Sequence, residues 1–144
     1  PQGELLESLA LPPPLADRQA YRSGNSRLEA LAVHPRHGPV TAPQRPLKAA
    51  PATRHTLFAA DGARWSFAAH GGSGQIKALE STPDGRLLVL ERSGTPKSRR
   101  HALRELDPAA CAAGGGACTP RTLDTGTALD GRDNFEGLTR LPDG

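Results

Sequence analysis

The chain has 144 residues, a formal charge of +3, 16 Gly, 14 Pro, no Met, one Trp and only 3% aromatic residues. It contains no run of about 18 apolar residues, which excludes a helical membrane span, and its cations are too few and too scattered to make a nucleic-acid surface. Gly and Pro spread along the whole chain fit many short strands joined by turns.

In chain order, Glu4–Leu9 reads as the closing strand of a preceding unit, and Pro12, Pro13 and Pro14 as a loop. Four strands follow at Leu28–Val33, Pro39–Ala42, Thr56–Ala60 and Arg64–Ala68. Asp61 and Gly62 supply the turn of the last hairpin, and the Ala/Pro-rich stretch Ala42–Pro51 reads as a rim loop. Four more strands are expected at Gln75–Ser81, Arg86–Glu91, His101–Leu106 and Pro120–Leu123. The run Arg86–Glu91 is apolar on both faces, as a strand covered on both sides must be. Phe135–Thr139 is expected to open a third set. The sequence then stops at Pro142, Asp143 and Gly144, in the turn where another strand is due, so it reads as a partial domain.

A repeat organises these strands. Leu28-Glu-Ala-Leu-Ala-Val-His-Pro-Arg-His-Gly38, Ile76-Lys-Ala-Leu-Glu-Ser-Thr-Pro-Asp-Gly85 and Phe135-Glu-Gly-Leu-Thr-Arg-Leu-Pro-Asp-Gly144 share a small residue, a Leu, a Pro four positions later and a closing Gly. Pro presets φ and Gly takes positive φ, so each segment is a strand running into a tight turn. The leucines at 31, 79 and 138 recur after 48 and then 59 positions, a period that suits four-stranded propeller blades. The expected fold is all-β, a partial β-propeller of about two four-stranded blades plus flanking strands, with repeats starting near 28, 75 and 134. A small β-sandwich with three similar hairpins is the alternative. It has no need for the same turn to recur at blade spacing.

Two positions before each repeat leucine stand Glu29, Lys77 and Glu136. Blade symmetry puts all three near the start of an innermost strand, at the mouth of a central channel. A charge beside apolar runs is costly unless paired, hydrated or liganded. Two readings follow: a catalytic site with two carboxylates and one Lys, or a Glu–Lys ion pair between adjacent blades. Asp133, Asn134 and Glu136 are the densest oxygen donors and the candidate metal ligands. Ca²⁺, which takes six to eight oxygens, is the candidate ion, although an Asp-Asn pair also serves as a turn. Cys111 and Cys118 flank Gly114, Gly115 and Gly116 and are placed to close a short disulfide on an outer hairpin of the second blade. With no second Cys pair and no flanking His, they do not make a metal site.

Other features carry less. The basic residues Arg92, Lys97, Arg99, Arg100, His101 and Arg104 read as a solvated loop. His34 and His37 flank a turn without a third ligand for zinc, and are expected to be exposed. The Gly-rich stretch around Ser73 has neither the Gly-Lys-Ser/Thr of a phosphate loop nor a nucleophile elbow.

Three motifs, taken in order, resemble those of the phytase-like domain family, labelled "esterase-like activity of phytase". They are Asn25-x-x-Leu-Glu-Ala-Leu-Ala, Leu79-x3-Pro-Asp-Gly-Arg-Leu-Leu-Val-Leu-Glu-Arg92 and Asp133-Asn-Phe-Glu-Gly-Leu138. The resemblance runs from about Gly3 to Gly144. The chain departs from the pattern at Gln44, where Glu is expected. The resemblance implies a bacterial, exported β-propeller, periplasmic or secreted in keeping with a Cys pair, whose remaining blades complete the ring. It also implies a hydrolase of phosphate or carboxylic esters acting on a small-molecule substrate, with metal- or carboxylate-assisted attack of water. A non-catalytic ligand- or protein-binding propeller is the alternative.

Overall fold

A computed structural model describes residues 8–95, 98–113, 116–126 and 135–141. Two sheets stand side by side as two blades of an unclosed propeller. The first contains β1 (Leu28–His34), β2 (Gly38–Pro43), β3 (Arg54–Ala59) and β4 (Arg64–Ala68) as an antiparallel meander. The second contains β5 (Gln75–Ser81), β6 (Leu87–Ser93), β7 (Arg100–Leu106) and, at its edge, β9 (Arg121–Thr125). Among the described residues the innermost strands β1 and β5 lie against each other, as they do around a propeller axis.

The two inner strands are built alike. Each carries a bulge, between Leu28 and Ala30 in β1 and between Ile76 and Ala78 in β5. The residue left out of the ladder is Glu29 in one and Lys77 in the other. A bulge re-aims the side chain of its extra residue, so the repeat places a charged group at one location in both blades. Leu31 and Leu79 then occupy matching ladder positions, opposite Thr41 and Val89.

Their surroundings differ. Leu79 is buried against the first sheet, whereas Leu31 is 67% exposed. The core explains this. Small residues of the first sheet (Ala30, Ala32, Ala42) face large ones of the second (Leu79, Leu87, Leu106), and the two surfaces interdigitate. Each Leu buried there stabilises the pair by about 1.5–3 kcal/mol. On the opposite face of the first sheet, Leu15 and Tyr21 from the preceding segment cover Phe58, with Leu47 packed against them. Leu28, Leu31 and Val33 stay open there, with Leu9 and Leu11, around a groove of about 450 Å³.

Between β7 and β9 the chain leaves its own blade. A short helix (Pro108–Ala113), started by Asp107 accepting from the Ala109 N–H, leads to β8 (Ala117–Cys118). β8 pairs in parallel with β4. The first sheet therefore has five strands, not the four expected. Cys111 and Cys118 form a disulfide with Cα atoms 4.7 Å apart. It lies on this strap across the blades and not on an outer hairpin of the second blade. The edge of β4 offers unpaired backbone groups, and β8 takes them up. Closing so short a loop contributes about 2–3 kcal/mol on the chain-entropy view.

Further expectations are corrected. Phe135–Thr139 forms no strand, since among the described residues 135–141 run without regular structure. Of Glu4–Leu9, only 8 and 9 are described, and neither is in a strand. His34 is buried, not exposed. Its Nδ1 accepts from the N–H groups of Arg36 and His37, so its Nε2 carries the proton and donates to the Gly85 carbonyl at 2.8 Å. Gly85 has φ +84°, and a Cβ there would sit 3.3 Å from that ring nitrogen, so the turn needs glycine twice over. His37 bonds Asp61 across the rim at 2.7 Å. The Ala63 N–H, and after it His37, holds the Asp61 carboxyl below its ordinary value.

Candidate functional site

The three charged residues singled out by the repeat meet at one end of the inner strands. Lys77 projects from the β5 bulge and is 2% exposed. Its Nζ contacts Oε1 of Glu29, from the β1 bulge, and lies 3.2 Å from Oε1 of Glu136. Glu136 sits in the irregular segment beyond β9. It is positioned there by its neighbour Phe135, whose ring packs edge-on against His101 with centroids 5.1 Å apart. Exposure rises across the cluster, with the Glu29 side chain 26% and the Glu136 side chain 55% accessible.

This gradient divides the cluster by what each group can do. A buried ammonium must keep a close anion, and Glu29 supplies it from the adjacent blade. The Glu29–Lys77 contact is thus an inter-blade ion pair. Glu136 reaches the same nitrogen from solvent, where its carboxylate is open to water or a ligand. Lys77 stands between the two acids and offers N–H donors to an anionic or polarised oxygen.

The metal expectation falls mostly outside the described residues. Among the described residues no group of three or more His, Cys, Asp or Glu is arranged to hold a metal ion. Asp133 and Asn134 lie outside the described residues. Glu29 and Glu136 supply two carboxylates, and the Lys77 ammonium occupies the space between them. These two described carboxylates alone fall short of the six to eight oxygens that Ca²⁺ takes.

A second charged cluster was not anticipated. Glu91, at the end of the apolar run of β6, is 1% exposed. Its Oε1 accepts from Arg104 Nη1 of β7 at 2.8 Å, and its Oε2 from the His70 backbone N–H at 2.7 Å. Arg104 also donates to the Ala68 carbonyl and lies over the Phe67 ring of the first sheet. His55 of β3 packs its ring on Phe67, with Nε2 3.7 Å from Glu91, too long for a hydrogen bond. Burial pulls the His55 pKa below the ordinary 6.5, and the Glu91 charge only partly offsets this. The close approach is steric as well: a Cβ on Gly74 would lie 2.9 Å from Glu91 Oε2.

The supposed solvated patch is therefore partly internal, because Arg104 and His101 point into the protein. The available signal was a Glu ending an apolar strand with an Arg on the next strand. Only strand register brings such a pair together. Glu91 is also the ladder partner of Ile76, next to Lys77, so the two clusters flank the same stretch of β5.

No described helix is long and apolar enough to cross a membrane. No curated protein and no solved structure shows significant similarity to the chain. The family model described as "Phytase-like: Esterase-like activity of phytase" matches residues 1–144. Two propeller-type blades with one motif-borne charged residue at the same bulge of each inner strand agree with that match, and the chain belongs to the phytase-like family.

Proposed function

We propose that this chain is part of a hydrolase of phosphate or carboxylic esters, working at the mouth of a propeller channel. The observation that carries the reading is the Lys77 ammonium held between Glu29 and Glu136, three residues equivalent in the repeat. Family membership supports the reaction class. In this reading Glu136, the most exposed of the three, accepts a proton from a water molecule. The water oxygen forms a bond to the phosphorus or carbonyl carbon. Lys77 N–H groups stabilise the charge gathering on the phosphoryl or carbonyl oxygen. The ester bond breaks, and the leaving alkoxide takes up the proton that Glu136 received. Glu29 keeps Lys77 aimed, and no covalent enzyme intermediate is formed.

Calcium is the candidate ion of this proposal, with Asp133, Asn134 and Glu136 as its candidate ligands. A calcium titration that raises turnover favours that ligand set, and turnover unchanged by calcium or by its chelation counts against it. The disulfide supports an exported, periplasmic or secreted protein. The open face around Leu31 supports a further blade seated on the first sheet.

The test is Glu136→Gln in the intact protein. Loss of a general base is expected to lower turnover about 10²–10⁴-fold. Removal of an exposed ion-pair partner costs at most about 1 kcal/mol, so melting should barely move. The Glu29–Lys77 pair also supports a second reading, a binding propeller in which these charges only join blades. In that case turnover is absent or unchanged, and Glu29→Gln is the variant that lowers stability.

A further inference from the structure

A cavity of about 640 Å³ opens between the two blades at the end of the inner strands away from Lys77. It begins roughly 17 Å along β1 from Glu29. The first blade lines it with Arg36 and His37 of the β1–β2 turn and with Trp65 of β4. The second lines it with Asp84 and Gly85 of the β5–β6 turn, and the short helix adds Asp107 and Pro108. The walls are tied to each other at two places. His34 bonds the Gly85 carbonyl across the blades at 2.8 Å, and the Ser66 N–H donates to the Gly116 carbonyl of the strap at 2.8 Å. A cavity braced in this way exists before a ligand arrives, which lowers the ordering cost of binding.

The polar groups left open around it have both signs. The Arg36 guanidinium has no ion-pair or hydrogen-bond partner among the described residues. Asp107 accepts the Ala109 and Ala110 N–H groups on Oδ1 alone, which leaves Oδ2 open. His37 donates from Nδ1 to Asp61, so in the neutral ring Nε2 is an open acceptor. Asp84 is already engaged by Arg86 and the Thr82 hydroxyl. Arg64 turns its guanidinium away, over the Phe58 ring. A bare anion would meet Asp107 and Asp84 beside Arg36, and a bare cation would meet Arg36 beside Asp107. A molecule carrying one charge of each sign satisfies both walls. We infer that this cavity binds a zwitterionic short peptide, with its carboxylate on Arg36 and its ammonium on Asp107 Oδ2 and His37 Nε2. A guanidinium takes a carboxylate in paired, charge-assisted bonds. The buried Trp65 and Pro108 give small apolar side chains a surface to rest on. The volume lies within the range of ordinary small-ligand sites. This binding is independent of the hydrolase reading and of the Lys77 cluster.

Calorimetric titration of the intact protein with alanyl-leucine and with trialanine tests it. Saturable binding of at least one is expected at concentrations up to about 10 mM. Amidating the peptide carboxylate, or acetylating its ammonium, should weaken that binding about ten-fold, one charge-assisted contact each. These capped peptides probe the contacts with the protein unaltered, so no variant need fold for them to decide. Arg36→Gln should weaken the free peptide about ten-fold and remove the effect of amidation. Asp107→Asn keeps a good helix cap and should remove the effect of acetylation. Glu136→Gln should leave binding unchanged, whether or not the protein cleaves esters. Absence of saturable binding by both peptides, or capped forms that bind as tightly as free ones, overturns the site. So does an Arg36→Gln protein that binds as the wild type does. Binding abolished by Glu136→Gln would place the peptide at the Lys77 cluster and overturn the site as well.

Discussion

Replacing Glu91 by Gln keeps the side-chain volume and removes one buried charge. Arg104, 8% exposed, keeps the Ala68 carbonyl and the Phe67 ring face as partners. Removing one member of a buried pair costs about 3–5 kcal/mol, because the other charge is stranded away from water. The Gln carbonyl can still accept one of the two hydrogen bonds now made by Glu91, from Arg104 or from the His70 N–H. The expected loss is therefore at the lower end, about 3 kcal/mol. For a chain of this size each kcal/mol lowers Tm by about 2–4 °C, so the melt should drop by about 6–12 °C. Urea unfolding followed by the emission of Trp65, which is buried, measures the loss at constant slope. Adding Arg104→Met should restore part of it, since a buried pair replaced by apolar groups is often near neutral. A loss below about 1 kcal/mol, or a double variant as unstable as the two single losses summed, refutes the claim that Glu91 and Arg104 act as a coupled buried pair.

His55 sets a pH dependence. Its folded pKa is depressed, so below the ordinary 6.5 the unfolded chain binds a proton that the folded one refuses. Stability should fall as pH drops from 7 toward 5, and His55→Phe should flatten that part of a Tm–pH curve. An unchanged slope in the variant would remove His55 as the cause. For the open face, Leu31→Ser in the intact protein should cost about 2 kcal/mol, the value of a buried Leu, if a further blade covers it. An unmoved melting curve means that this 67% exposed side chain is exposed in the intact protein too.

The blade repeat was legible because it is written in local chemistry. A short apolar run, a Pro and a Gly specify a strand and its turn with no help from distant residues, and β1, β5 and β6 begin and end within a few residues of their expected limits. The same alignment placed Glu29, Lys77 and Glu136 in one cluster, since equivalent positions in a repeat become neighbours around an axis. The segment after Phe135 carried the same local signal but no strand, because a strand needs a partner for its backbone groups. The β8 strap was not legible either: Ala117 and Cys118 have no strand pattern of their own and pair only because the edge of β4 is there to receive them.

By itself, then, the sequence determined the strand-and-turn unit, its period and the charged residue two places before each repeat leucine. Which of those charges is buried, and that Lys77 lies inside while Glu136 faces water, was decided by the packing of one blade on the next. The same packing gave Leu31 and Leu79 opposite exposures at matching positions, while strand register within the second sheet made Glu91 and Arg104 partners. Turn chemistry acts over a few residues, whereas burial is a property of two surfaces, and those surfaces exist only once the sheets have formed.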